Sequence, residues 1–230
     1  MKQTLMLKVE LHVHTRFSSD CATPVANLVA RCQEVGTNCV AITDHNTIEG
    51  ALAVREIAPF PVIIGEEIKS SGGEIIGLFL TKKIDAGLSP LETVYRIKSQ
   101  GGLVAIPHPF DRMRRSVISP SALKELLPHT DIIEAFNARN TFRTANTLAS
   151  ALAREKGLLT SAVSDAHTLI ELGRTYVEMP EFDGSPDQFK ESLQQGKLVR
   201  RGITPLIHFA TTFVKLRRRL FKNQERDWCV

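Results

Sequence analysis

Five of the seven histidines in this 230-residue chain stand where short apolar runs end. His12 and His14 close "ELHVH", His45 follows Asp44 in "ITDHN", His108 lies in "AIPHP" and His167 in "VSDAH". Carboxylates recur at the same kind of place: Asp20 beyond the first pair, Glu66 and Glu67 in "IGEEI", Glu134 in "IEAFN" and Asp165 before His167. Imidazole and carboxylate together suit zinc, manganese or iron better than calcium. Each residue alone has an ordinary reading as a surface histidine, a turn aspartate, an exposed glutamate or a helix cap. The argument for a metal site rests on their shared placement, from which only His129 and His208 depart.

The elements that must position these groups alternate. In "LKVELHV", period 2 puts Leu7, Val9, Leu11 and Val13 on one face, with Lys8, Glu10, His12 and His14 on the other. "TPVANLVARCQEVG" reads as a helix with Thr23 as its cap, Pro24 at its first position and Gly36 after its end. "CVAIT", "PVIIG", "EIIGLFL", "LVAIP", "DIIEAF", "LLTSAVS" and "TYVEM" read as strands. Between them lie helical stretches such as "SPLETVYRIKSQGG", where Ser89 and Glu92 have capping-box spacing. Repeated strand–helix units predict a parallel sheet, open or closed into a barrel, with functional groups gathered at the carboxyl ends of its strands. No boundary is expected before about residue 200.

The composition, 43% apolar and 23% charged, is that of a globular protein. No apolar run approaches the roughly 20 residues of a membrane span, and the N-terminus has no secretory pattern, so a cytoplasmic protein is expected. Cys21, Cys32, Cys39 and Cys229 show no CxxC spacing and read as reduced thiols, of which only Cys21 lies close to the site. The net charge of +4 is concentrated in Lys215, Arg217, Arg218, Arg219 and Lys222; without them the chain is near neutral. Hence the total implies no broad nucleic-acid surface. "LIHFATTFVKLRRRLF", within a tail expected over residues 201–230, reads as a basic amphipathic helix. Packing on the barrel, a dimer contact, and RNA or membrane-surface binding all remain open for it.

The stretches "HVHTRFSSD", "AITDHN", "GEEI", "IPHPFD" and "SDAH", in this order, resemble the PHP superfamily of metal-dependent phosphoesterases, named for polymerase and histidinol phosphatase domains. The resemblance covers roughly residues 7–200 and is closest to small stand-alone members acting on nucleotides or short nucleic acids. It implies a distorted (β/α)7 barrel over residues 1–200, with two or three divalent metals (Mn, Zn or Fe) at the carboxyl ends of its strands. Carried over by position, it makes His12, His14, Asp20, His45, Glu67, His108, Asp165 and His167 metal ligands, with Glu67 bridging. Asp165 and His167 are the candidates for catalytic work. Many members carry a further histidine in the strand after the bridging glutamate, where this chain reads "GGEIIGLFL". Either Glu74 stands in for it, or the third metal position is weakly held or absent.

The implied activity is hydrolysis of phosphoester bonds in nucleotides or short oligonucleotides by a metal-bound hydroxide. It requires no covalent nucleophile, and the chain has no GxSxG motif. Phosphate needs cationic forks, which Arg112, Arg114, Arg115, Arg139, Arg143 and Arg174 supply, with Asn137 nearby. A small phosphomonoesterase such as a histidinol phosphatase is the alternative within the class. A non-catalytic metal-containing binding module is the alternative outside it.

Overall fold

The computed structural model describes residues 6–202, and the basic segment after Gly202 lies outside them. Nine strands form one sheet in the order β7-β6-β5-β4-β3-β2-β1-β8-β9. They are β1 (Met6–Val13), β2 (Cys39–Ile42), β3 (Val62–Ser70), β4 (Gly73–Leu78), β5 (Leu103–Ile106), β6 (Ile132–Asn137), β7 (Leu159–Val163), β8 (Tyr176–Pro180) and β9 (Lys197–Val199). Strands β1, β2 and β3 pair in parallel, as do β5, β6 and β7. Strand β4 is antiparallel to both β3 and β5, and β8 is antiparallel to β1. The short turn after Ser70 forces a hairpin there, because a parallel return needs a crossover of a dozen residues or more. That hairpin is the distortion in an otherwise repetitive barrel.

The sheet curls until its first and seventh strands meet. Past β7, Ala166 accepts a hydrogen bond from His14 N at 2.9 Å and donates one to His12 O at 3.3 Å. The lower half of β1 pairs instead with β8. The barrel is therefore nearly closed, and it closes on the segment that carries the candidate ligands.

Helices α1 (Val25–Glu34), α2 (Glu49–Ile57), α3 (Pro90–Lys98), α4 (Pro120–Leu126), α5 (Arg143–Lys156) and α6 (Pro186–Gln194) connect the strands. Ser89, Ser119 and Ser185 accept the N–H of the third residue after them, each followed by proline at the first helical position. Helix α1 departs from expectation: Pro24 is its cap residue and no side chain caps it. The Thr23 hydroxyl donates instead to His167 O at 3.2 Å, because the loop behind the candidate site competes for it.

Two apolar layers hold the fold. One lies between sheet and helices and includes Leu28, Val40, Ile42, Val54, Ile64 and Ile97. The other fills the barrel with Val9, Leu11, Ala41, Ile63, Ile76, Leu103, Ile132 and Val163, backed by Phe189. Each large side chain buried this way contributes roughly 1.5–3 kcal/mol. Among the described residues, no helix is long and apolar enough to cross a membrane.

Candidate metal centre

Two irregular strands aim the key groups. In β1, Glu10 pairs with Val40 and Val13 with Ile42, so Leu11 and His12 together oppose the single Ala41. This bulge ends the alternation that strict period 2 predicts. Val13 joins the helix-side layer, while His12 and His14 turn over the barrel mouth above Leu11. In β6, Glu134 pairs with Ser161 and Phe136 with Ala162, a second extra residue. It places Asn137 beside Glu134, to which its Nδ2 donates at 3.0 Å. Bulges commonly re-aim side chains in this way next to functional sites.

Local backbone strain accompanies the placement. His108 has φ 31° and Asp165 φ 53°, a region L-residues seldom occupy. Neighbours hold both in place: His108 N donates to Glu134 Oε2 at 2.9 Å, and Asn137 Nδ2 donates to Asp165 Oδ2 at 3.1 Å.

The eight residues expected as ligands converge. Nε2 of His12 lies 3.0 Å from Nε2 of His14, and both are 3.4 Å from Glu67 Oε2. Asp165 Oδ1 is 3.6 Å from His12 Nε2 and 3.5 Å from His14 Nε2. His108 Nε2 is 3.1 Å from Glu67 Oε1. Asp20 Oδ2 stands 3.3 Å from Nε2 of both His45 and His167. All are buried except the half-buried His45.

Hydrogen bonds fix which imidazole nitrogen is free. His12 Nδ1 donates to Glu134 Oε1 at 2.5 Å, and His167 Nδ1 to the Asp165 carbonyl at 2.9 Å. His14 Nδ1 lies 3.0 Å from Ser18 Oγ, whose own proton goes to Asp44 Oδ1 at 2.8 Å, so the nitrogen is the donor there. The Nε2 lone pairs of His12, His14 and His167 therefore all face the cluster. Lone pairs 3.0 Å apart repel unless a proton or cation lies between them. Ligand atoms about 2.1 Å from a shared cation stand roughly 3.0–3.5 Å from one another, which matches the spacing here. Asp20 Oδ1, Glu67 Oε2, Asp165 Oδ1 and His108 Nδ1 are buried without a hydrogen-bond partner. The donor set thus fits divalent metal, and His14–Asp20–His45–His167, His12–His14–Glu67 and His45–Glu67–Glu74 are three groups able to hold an ion.

Charge is balanced within the mouth. Burial opposes charging of His12, but Asp165, Glu134 and Glu67 outweigh it and raise its pKa well above the ordinary value. Burial and the neighbouring His167 bring His14 down to about 4. Burial would raise the Asp165 pKa, yet Arg114 and His12 hold it well below the usual carboxylate range.

The expected substrate contacts divide. Arg114 pairs with Asp165 through Nη2 and with Asp111 through Nε at 3.2 Å, and Asn137 lies within the cluster. Arg112, Arg115, Arg143 and Arg174 are exposed. Arg139 differs from expectation: it is buried, with Nη1 2.9 Å from Glu171 Oε1. Glu171 Oε2 in turn accepts from His167 N, Thr168 N and the Thr168 hydroxyl. Arg139 therefore braces the loop behind His167, because a buried guanidinium must keep its carboxylate.

Several supporting residues were outside the expected set. Glu134 orients His12 and His108, and its signal was a lone carboxylate in an apolar strand. Asp44 gathers Thr15 N, Thr15 Oγ1 and Ser18 Oγ. Glu171 carried no sequence signal. Cys21 donates to the carbonyls of His14 and His167, and burial pushes its thiol up to about 11, so it acts as an inert brace.

A curled α/β sheet with histidines and carboxylates packed into its mouth defines a class of metal-site barrels. Residues 10–84 match the PHP domain family and residues 143–198 the PHP-associated family. The uncharacterized proteins MJ1587 and MJ0417 of Methanocaldococcus jannaschii are each 36% identical to the chain. The first match covers 62% of this chain and 89% of the relative, the second 82% and 79%. Among solved structures, a two-domain Bacteroides vulgatus protein containing a predicted PHP-like metal-dependent phosphoesterase aligns with TM-score 0.69 at 18% identity. That match covers 86% of this chain and 66% of the other's length. PsfC from Pseudomonas syringae aligns with TM-score 0.65 at 16% identity, covering 92% of this chain and 98% of PsfC. The chain belongs to the PHP family.

Proposed function

We propose that this protein is a metal-dependent phosphoesterase acting on nucleotides or short oligonucleotides, with His12, His14, Asp20, His45, Glu67, His108, Asp165 and His167 as metal ligands. The observation that carries this reading is the convergence of free Nε2 lone pairs and orphaned carboxylate oxygens at one barrel mouth. Divalent cations bound there supply acidity to water and neutralise charge on phosphoryl oxygens. Manganese, zinc and iron all suit the donor set.

The remaining work falls to the chain. Asp165, held ionised beside Arg114, turns Oδ1 into the cluster, where it accepts a hydrogen bond from the attacking water and orients it. His167 is kept neutral by burial, so its Nε2 lone pair stays available to a cation. Arg114 is partly exposed at the rim and carries more donors than Asp165 and Asp111 consume, so it clamps the substrate phosphate. Asn137 holds Asp165 and Glu134 in register.

The test is a panel of phosphoesters presented to protein loaded with each metal in turn: short RNA oligomers, nucleoside bisphosphates and histidinol phosphate. Release of nucleoside monophosphates from the oligomers supports the proposal, and His12→Ala and Asp165→Ala should abolish it with the circular dichroism unchanged. Turnover of histidinol phosphate alone would shift the assignment to a small phosphomonoesterase. Tight metal binding with no turnover of any ester would make the protein a binding module.

A further inference from the structure

Glu74 stands at the start of β4 on the rim of the same mouth. In the β3–β4 register Glu67 faces Ile76 and Lys69 faces Glu74, so Glu74 is the diagonal neighbour of Glu67 on one face. Gly73 brings it there. That residue has φ +126°, and a Cβ on it would lie 2.3 Å from Ile118 Cα, so only glycine lets β4 begin so close to the 116–118 segment. Glu74 N donates to Ser116 O at 2.8 Å and locks the approach.

The side chain is buried, at 5% exposure. Its Oε1 lies 3.8 Å from His45 Nδ1 and its Oε2 3.7 Å from His108 Nε2, beyond hydrogen-bonding range. The same two nitrogens stand 3.0 and 3.1 Å from the oxygens of Glu67. Two carboxylates thus share two imidazoles, at spacings suited to a common cation. A neutral imidazole has a single lone pair. With His45 Nε2 turned toward Asp20, its Nδ1–H faces Glu67, and the donors left for an ion are Glu67, Glu74 and His108 Nε2. This set is rich in oxygen, whereas the His12–His14–Glu67 and His14–Asp20–His45–His167 groups are rich in nitrogen. Carboxylate-dominated sites suit manganese and magnesium, and imidazole suits zinc and iron.

We propose that Glu74, with Glu67 and His108, holds its own hard divalent cation, making the mouth a mixed centre with one oxygen-rich and otherwise nitrogen-rich positions. This rests on the metal-centre reading above and goes beyond it by assigning a ligand and a metal preference.

Full-length protein stripped with chelator is dialysed against equal zinc and manganese, desalted and measured by elemental analysis and manganese EPR. Wild type should retain zinc together with a single manganese equivalent. Glu74→Gln should lose that manganese, weakening its binding by more than about tenfold, with zinc content and chelator-treated melting temperature unchanged. Glu74→His should restore the total count but exchange manganese for zinc. Because the histidine variant keeps a ligand, it gives a reading even where the glutamine variant fails to fold. A Glu74→Gln protein with wild-type metal count and wild-type manganese-to-zinc ratio overturns the role of Glu74 alone. A wild-type chain that binds no cation overturns the metal centre itself.

Discussion

The two ends of the barrel are built on opposite principles. At the carboxyl end, buried histidines and carboxylates crowd together, and each is steered by a further hydrogen bond. At the amino end, Phe79, Phe182 and Phe189 meet edge to face with ring centroids 5.2–6.3 Å apart. Phe79 has φ 61°, costly for a bulky residue, and its packed ring holds it there. Strain occurs at both ends, but only at the mouth does it sit on groups with unsatisfied polar atoms. The amino end therefore stabilises the fold by itself, and the mouth becomes fully stable only with cations bound.

The sharpest way to break this contrast is Glu171→Ala. It leaves the Arg139 guanidinium buried and unpaired and orphans the N–H groups of His167 and Thr168. The cost is about 3–5 kcal/mol for the broken pair, with more from the orphaned donors. Urea unfolding should show it, and the manganese-induced rise in melting temperature should shrink with it. Phe189→Ala removes a fully buried ring and should cost about 3–5 kcal/mol. Its cation-induced rise in melting temperature should match that of wild type. A smaller rise in the phenylalanine variant would mean the two ends are coupled.

The same contrast explains what the sequence disclosed. Strands, helices and serine caps are local, and period 2, period 3.6 and Ser-Pro starts locate them. The ligands were legible because histidine and aspartate seldom end so many apolar strands together. The devices that aim them were not. Nothing in "VELHV" announces that Leu11 and His12 share one partner, because a bulge is set by the register of the neighbouring strand. Arg139 looked like a phosphate fork because its carboxylate lies 32 residues away, at Glu171. Glu74 looked like a gap in the motif until the hairpin placed it diagonally from Glu67.

Asp44→Asn is a milder perturbation of the mouth. Asp44 accepts from Thr15 N at 2.7 Å, Thr15 Oγ1 at 2.6 Å and Ser18 Oγ at 2.8 Å, all donors to a charged acceptor. The amide loses the charge and faces one donor with another, at a cost of about 1.5–3 kcal/mol. Because Ser18 orients His14, metal affinity should fall as well, as measured by cation titration.

The smallest change makes the cleanest comparison, because the same atom can be removed at both ends. Ser185 Oγ caps α6 by accepting Gln188 N at 3.3 Å, four residues before Phe189. Ser18 Oγ ties His14 Nδ1, Asp44 and His45 N together at the mouth. Ser185→Ala and Ser18→Ala should each cost about 1 kcal/mol in urea unfolding without metal. Only Ser18→Ala releases the imidazole that sets a free Nε2, and loss of such a supporting contact typically weakens metal binding about 10–100-fold. Calorimetric titration of both variants should therefore separate them by at least about tenfold in affinity despite near-equal stability. Equal affinities would mean that the hydrogen bonds around the histidines only fold the loop, and that the strand bulges alone determine where the lone pairs point.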